Sequence, residues 1–60
     1  MTSVQKVAQG IATGWRELAA AGDGGRVEAV VRRIEQAPRL EAAEYRAAVL
    51  IYRGASGGGR

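Results

Sequence analysis

Residues 38–53 read PRLEAAEYRAAVLIYR and form the most apolar segment of the chain, with both of its tyrosines. Ala, Leu, Glu and Arg dominate the segment, and all four favour helix. Pro38 suits a first helical position, where its missing N–H has no intrahelical partner to lose. Gly after Arg53 is a common way for a helix to end. The segment therefore predicts a helix over residues 38–53.

This helix would carry two apolar faces, where an ordinary surface helix carries one. At about 100° per residue, one face gathers Leu40, Ala43, Ala47, Leu50 and Ile51. The other gathers Tyr45, Ala48, Val49 and Tyr52. Two interpretations stay open. Either the helix is packed on both sides within its own fold, or the Leu40 face packs inside and the tyrosine face meets a second chain.

Length and composition favour association. A chain of 60 residues makes one domain, and a domain of this size buries only about 60% of the surface that its unfolded chain exposes. It has one Trp, no Phe, no Cys and no His, so neither disulfides nor a Cys/His metal site can reinforce a thin core. The composition predicts a homo-oligomer or a protein partner, no cofactor and no metal. The lack of Cys fits a cytoplasmic location, and we expect no membrane segment and no signal peptide.

Two further helices precede residue 38. Apolar residues at helical spacing predict the first, over about 3–21, with an inner face of Val4, Val7, Ile11, Trp15 and Leu18. Gly10 and Gly14 each cost about 1 kcal/mol relative to Ala in a helix. Their spacing permits close approach of another helix, but a weak helix that needs tertiary support is the favoured interpretation.

The second helix is predicted over about 25–36, between a glycine-rich turn and Pro38. Its apolar stripe consists of Val27, Val30, Val31 and Ile34. The turn at residues 21–25 lacks the preceding strand and following Lys-Ser/Thr of a phosphate-binding loop. The fold class is thus all-α, a small three-helix domain over residues 1–53 with a flexible Gly-rich C-terminal tail at 54–60. Its inner face on the third helix is expected to be Leu40, Ala47, Leu50 and Ile51.

The residues give no sign of catalysis. Without His or Cys, the remaining candidates are a few hydroxyls and the pair Glu41 and Glu44, which lie on a predicted surface helix near arginines. General acid–base work needs groups with shifted pKa values held in a pocket. We therefore expect no catalytic residues, no small-molecule substrate and no enzyme.

Two function classes remain. The first is a non-catalytic protein–protein interaction module, such as a small regulator or adaptor, because Tyr and Arg are typical interface anchors. Its partner-binding residues would be Tyr45, Val49, Tyr52, Arg46 and Arg53. The alternative is a small DNA-binding regulator of helix-turn-helix type, which would read nucleic acid through Arg26, Arg32, Arg33 and Gln36. Glu28 and Glu35 interrupt this basic surface, and the net charge of +3 is small for a DNA-binding protein.

Overall fold

A computed structural model describes residues 3–54 of the chain. The α-helices within this range are α1 at Ser3–Leu18, α2 at Gly24–Gln36 and α3 at Ala43–Arg53. No strand occurs in the described part, and the expected all-α class is confirmed. None of the described helices combines the length and apolar composition that a bilayer span needs. The predicted tail, except for Gly54, lies outside the described residues.

The chain turns between α1 and α2 through a kinked segment at Ala19–Asp23. Gly22 adopts φ 102° and ψ 0°, a left-handed conformation that costs a residue with a Cβ about 1–2 kcal/mol. The backbone therefore favours glycine at this position. The regular part of α1 ends at Leu18, three residues before the predicted end at 21.

The third helix begins five residues later than predicted. Pro38–Leu40 form a single 3-10 turn, in which the Leu40 N–H donates to the Ala37 carbonyl at 3.1 Å. Glu41 and Ala42 are then extended, both with ψ 153°. The Ala42 carbonyl accepts from the N–H groups of Tyr45 and Arg46, so α3 starts after this break. Pro38 fits the first position of either helix type, which is why its presence did not reveal the short turn.

The core forms where α2 and α3 meet the middle of α1. Val27, Val31 and Ile34 of α2 are buried together with Val49 of α3, which confirms three of the four residues predicted for α2, while Val30 remains exposed. Trp15 and Tyr52 pack against this cluster, with ring centroids 5.8 Å apart in an edge-to-face arrangement.

Small side chains set the contact between α1 and α3, which pack on each other more extensively than any other pair of helices. Ala8, Ala12 and Ala48 are completely buried. Side chains this small allow two helix backbones to approach closely. On α1 the buried centre is therefore the alanine pair, while Val7 and Leu18 of the predicted inner face stay exposed.

The predicted inner face of α3 is wrong for Leu40 and Leu50, while Ala47 and Ile51 are half-buried. Leu40 is 83% exposed and Leu50 59% exposed, whereas Val49, on the opposite face, is only 5% exposed. Leu40 is not part of α3, because the helix begins only at Ala43. Ala48 lets α1 approach, and Tyr52 beside it meets Trp15. The side of the helix that carries Ala48, Val49 and Tyr52 therefore faces inward, while Tyr45 at its start is exposed.

The C-terminal end of α3 is held from two directions. Gly54 has φ 74°, and its N–H donates to the Ile51 carbonyl at 3.0 Å. The Arg16 guanidinium of α1 donates to the same carbonyl at 2.8 Å. A cation at this position complements the negative end of the helix dipole, and the bond fixes the end of α3 against α1.

Candidate functional site

An apolar groove of about 210 Å³ lies between the end of α2, the 3-10 turn and the outer side of α3. It is lined by Ile34, Glu35, Pro38, Arg46, Val49 and Leu50. Ile34 and Val49 form its floor, since both are buried in the core below. Leu50 stands beside them with more than half of its surface in water. We call this feature the docking groove. An apolar side chain from another molecule could cover it without displacing any core residue.

Within the described residues, only one of the two charged side chains that line the docking groove has an ion-pair partner. Glu35 is held in an ion pair with Arg53 at 3.0 Å. Arg46 is exposed and forms no ion pair within residues 3–54. Leu40, next to the groove in the chain, is the most exposed large apolar residue described. The groove thus offers an apolar floor with one unpaired guanidinium at its edge.

The structure separates the five residues predicted to bind a partner. Val49 and Arg46 both line the docking groove. Tyr45 precedes Val49 by one turn and is 43% exposed. Tyr52 is instead engaged by Trp15, and Arg53 by two carboxylates of α2. Whether these residues contact a partner stays a prediction.

Arg53 ties α3 to α2 through four hydrogen bonds. Its Nη1 and Nη2 donate to the two carboxylate oxygens of Glu28 at 3.0 and 2.8 Å. Its Nε and Nη2 donate to the two oxygens of Glu35, both at 3.0 Å. Two paired-donor contacts from one guanidinium give a geometry that Lys cannot reproduce. Arg32 adds a longer contact to Glu28 at 3.4 Å.

These contacts lower the pKa of both carboxyl groups below the usual 4.5, chiefly through the hydrogen bonds from Arg53. A carboxyl group whose pKa is lower in the folded state binds fewer protons there than in the unfolded state as the pH falls. The stabilisation is therefore complete above pH 4.5 and is lost as the pH drops through the folded-state pKa values.

We expect Arg53→Gln to be less stable than the wild type at neutral pH and to lose less stability on acidification. The difference between the two proteins should shrink as the pH falls below 4.5, because protonation removes the wild-type contacts. Urea unfolding at a series of pH values, followed by circular dichroism, measures this. Arg53→Lys, which keeps the charge but not the forked geometry, should fall between them. Parallel curves for wild type and Arg53→Gln would contradict the assignment.

The four residues predicted to contact nucleic acid all lie exposed on α2, on the side away from the core. Glu28, Arg32, Arg33 and Gln36 border a second, shallow groove of about 410 Å³, whose small residues are Gly25 and Ala29. Arg26 lies two helical turns before Arg33 on the same side of the helix. The structure therefore places these residues on one surface, remote from the docking groove on α3.

The described residues hold no group of three His, Cys, Asp or Glu side chains that could bind a metal ion. No polar or charged side chain in the described part is buried. In comparisons with known proteins, no family model, curated protein or solved structure matches the chain.

Sequence reasoning missed Ile34, Pro38 and Leu50 as members of one site. Leu50 and Ile34 were assigned to the core, and Pro38 to a helix start. Leu50 is exposed because the opposite side of α3 packs against α1. The spacing of residues within α3 does not reveal which side that is. The one sequence signal was the presence of two apolar faces on a single helix.

Proposed function

We propose that this chain is a non-catalytic protein–protein interaction module, a small regulator or adaptor that associates with itself through the docking groove on α3. The observation that carries the proposal is the exposure of Leu50 above a groove floored by Ile34 and Val49. Oligomerisation is a common way for a short chain to supplement a small core. Seven hydrophobic residues are buried in the described part, and three of them are alanine.

A second copy suits the groove because the chain carries a complementary segment beside it. Leu40 offers an exposed aliphatic side chain, and Glu41 follows it with a carboxylate. Leu40 of one copy would enter the groove of the other while Glu41 approached Arg46. A two-fold arrangement makes both contacts twice, as an isologous interface requires. Val49 lines this groove, and Tyr45 is exposed one turn before it. Tyr52 packs on Trp15, and Arg53 pairs with the groove residue Glu35.

The absence of cysteine supports a cytoplasmic setting for this association. A larger protein that presents an aliphatic residue next to a carboxylate would match the same groove. Binding to a second copy predicts that the purified chain associates with itself, whereas binding to a larger protein does not. Self-association of the purified chain therefore distinguishes the two cases.

Leu50→Glu is expected to weaken self-association at least about tenfold, equivalent to 1.4 kcal/mol, because it places a carboxylate in an apolar contact. Sedimentation velocity over a range of concentrations gives the dissociation constant. The matched control is Leu18→Glu, which alters another exposed leucine near a helix end but outside the groove. Equal dissociation constants for the two variants would contradict the proposed surface.

A charge exchange tests the proposed second copy more sharply. Arg46→Glu should weaken association, and adding Glu41→Arg to the same chain should recover part of the loss, because the ion pair is restored with reversed sign. Circular dichroism establishes that each variant is folded. An additive effect of the two substitutions, with no recovery, would contradict the proposed contact between Glu41 of one copy and Arg46 of the other.

A further inference from the structure

The outer face of α2 combines positive charge with small residues. We define this face by Gly25, Arg26, Ala29, Arg32, Arg33 and Gln36. All six are exposed, and Arg26 and Arg33 form no ion pair within residues 3–54. The face lies on the opposite side of α2 from Val27, Val31 and Ile34 in the core and takes no part in the docking groove.

The acidic residues that interrupt α2 in the sequence are held by α3 in the structure. Glu28 and Glu35 are the acidic residues of this helix, and the Arg53 guanidinium bonds both oxygens of each. Glu28 lines the shallow groove on the outer face, and its charge is opposed by Arg53 and Arg32. With Glu28 included, the face carries the guanidinium groups of Arg26, Arg32 and Arg33 against one carboxylate.

The outer face admits close approach near the start of α2. Gly25 and Ala29 lie within the shallow groove bordered by Glu28, Arg32, Arg33 and Gln36. A Cβ built on Gly25 would meet nothing within 4 Å, so the space above the backbone is open. A rigid, extended anion could lie against the helix there while the longer side chains reach around it.

The two arginines of α2 without ion-pair partners among the described residues lie along one line of the helix. Arg26 and Arg33 are seven residues apart, a rise of about 10.5 Å at 1.5 Å per residue. The charge of duplex nucleic acid is carried on its phosphate backbone, which exposed guanidinium groups can contact without reading the bases. Arg26 and Arg33 can therefore approach the same phosphate backbone, with Arg32 and Gln36 beside them.

We propose that the outer face of α2 binds the phosphate backbone of duplex nucleic acid, with Arg26 and Arg33 as the principal contacts and Arg32 as a third. Binding of this kind is independent of base sequence and falls steeply with salt, because each neutralised phosphate releases counterions. The outer face of α2 is separate from the docking groove, so the test of DNA binding does not depend on whether the chain self-associates.

The test is fluorescence anisotropy of a labelled, random-sequence DNA duplex titrated with the full chain at several salt concentrations. The expected slope of log affinity against log salt is about −2 to −3, since each phosphate contact contributes about −0.9. Arg33→Gln should weaken binding several-fold at low salt and make the slope shallower by about one. Lys6→Gln is the matched control, since it removes one positive charge from the exposed side of α1.

The outcomes are distinct. A loss specific to Arg33→Gln, with unchanged helicity and unchanged sedimentation, supports the outer face of α2 as the contact surface. Equal losses for Arg33→Gln and Lys6→Gln would show that net charge alone attracts the duplex, and would overturn the proposal. Absence of binding at the lowest salt concentration would overturn it as well.

Discussion

Replacing Trp15 by alanine is expected to destabilise the folded chain by about 3 kcal/mol, at the low end of the 3–5 kcal/mol typical of Trp→Ala core changes, because the ring is only half-buried. Its ring packs against the core cluster and meets Tyr52 edge-on at 5.8 Å. A chain of 60 residues has a total stability of about 3–9 kcal/mol, at about 0.05–0.15 kcal/mol per residue. Trp15→Ala should therefore keep only about 0–6 kcal/mol of stability, and its unfolding midpoint should fall well below that of the wild type.

Urea unfolding followed by far-ultraviolet circular dichroism measures this loss without relying on the removed fluorophore. Trp15→Phe is the control, because it keeps an aromatic ring of smaller size and should recover most of the stability. All variants are compared at one protein concentration, since association with a second copy would stabilise the fold by mass action. An unfolding midpoint for Trp15→Ala equal to that of the wild type would contradict the assigned core.

The double substitution Gly10→Ala with Gly14→Ala is expected to stabilise the fold by about 2 kcal/mol, or about 1 kcal/mol for each site. Both glycines lie within α1, and a Cβ built on either meets nothing within 4 Å. Nothing inside the described fold therefore uses their small size. The melting temperature should rise by about 8–16 °C, at about 4–8 °C per kcal/mol for a domain of this length.

The same chemical change at Gly22 and Gly54 should act in the opposite direction. Both have positive φ, 102° and 74°, where alanine is strained by about 1–2 kcal/mol. Thermal unfolding of the single and double variants gives the comparison. If alanine at Gly10 and Gly14 lowered the melting temperature, the glycines would have a packing role that the described fold does not contain.

The inner face of α2 was largely predictable because this helix carries a single apolar stripe between a glycine turn and a proline. Val27, Val31 and Ile34 had no competing face, so local spacing was enough to identify them. The start of α3 was not predictable in the same way. Residues 38–42 are compatible with α-helix by composition, and only the observed backbone shows the extended break at Glu41 and Ala42.

The choice between the two faces of α3 depends on residues far away in the chain. Ala48 permits close packing on α1, and Tyr52 finds Trp15, which is 37 positions away by residue number. The contacts of Arg53 with Glu28 and Glu35 span 25 and 18 positions. Helical spacing contains no information about such pairs. The docking groove likewise exists only because the end of α2, Pro38 and α3 come together in space.

Sedimentation equilibrium of the purified wild-type chain, with helicity recorded on the same samples, tests the proposed self-association most directly. The docking groove predicts a folded species that approaches twice the 6.3 kDa mass of one chain as concentration rises. Because the contact is mainly apolar, with a proposed surface ion pair between Glu41 and Arg46 at each edge, added salt should weaken association only modestly. A folded monomer at every concentration up to the sub-millimolar range would contradict self-association through this groove.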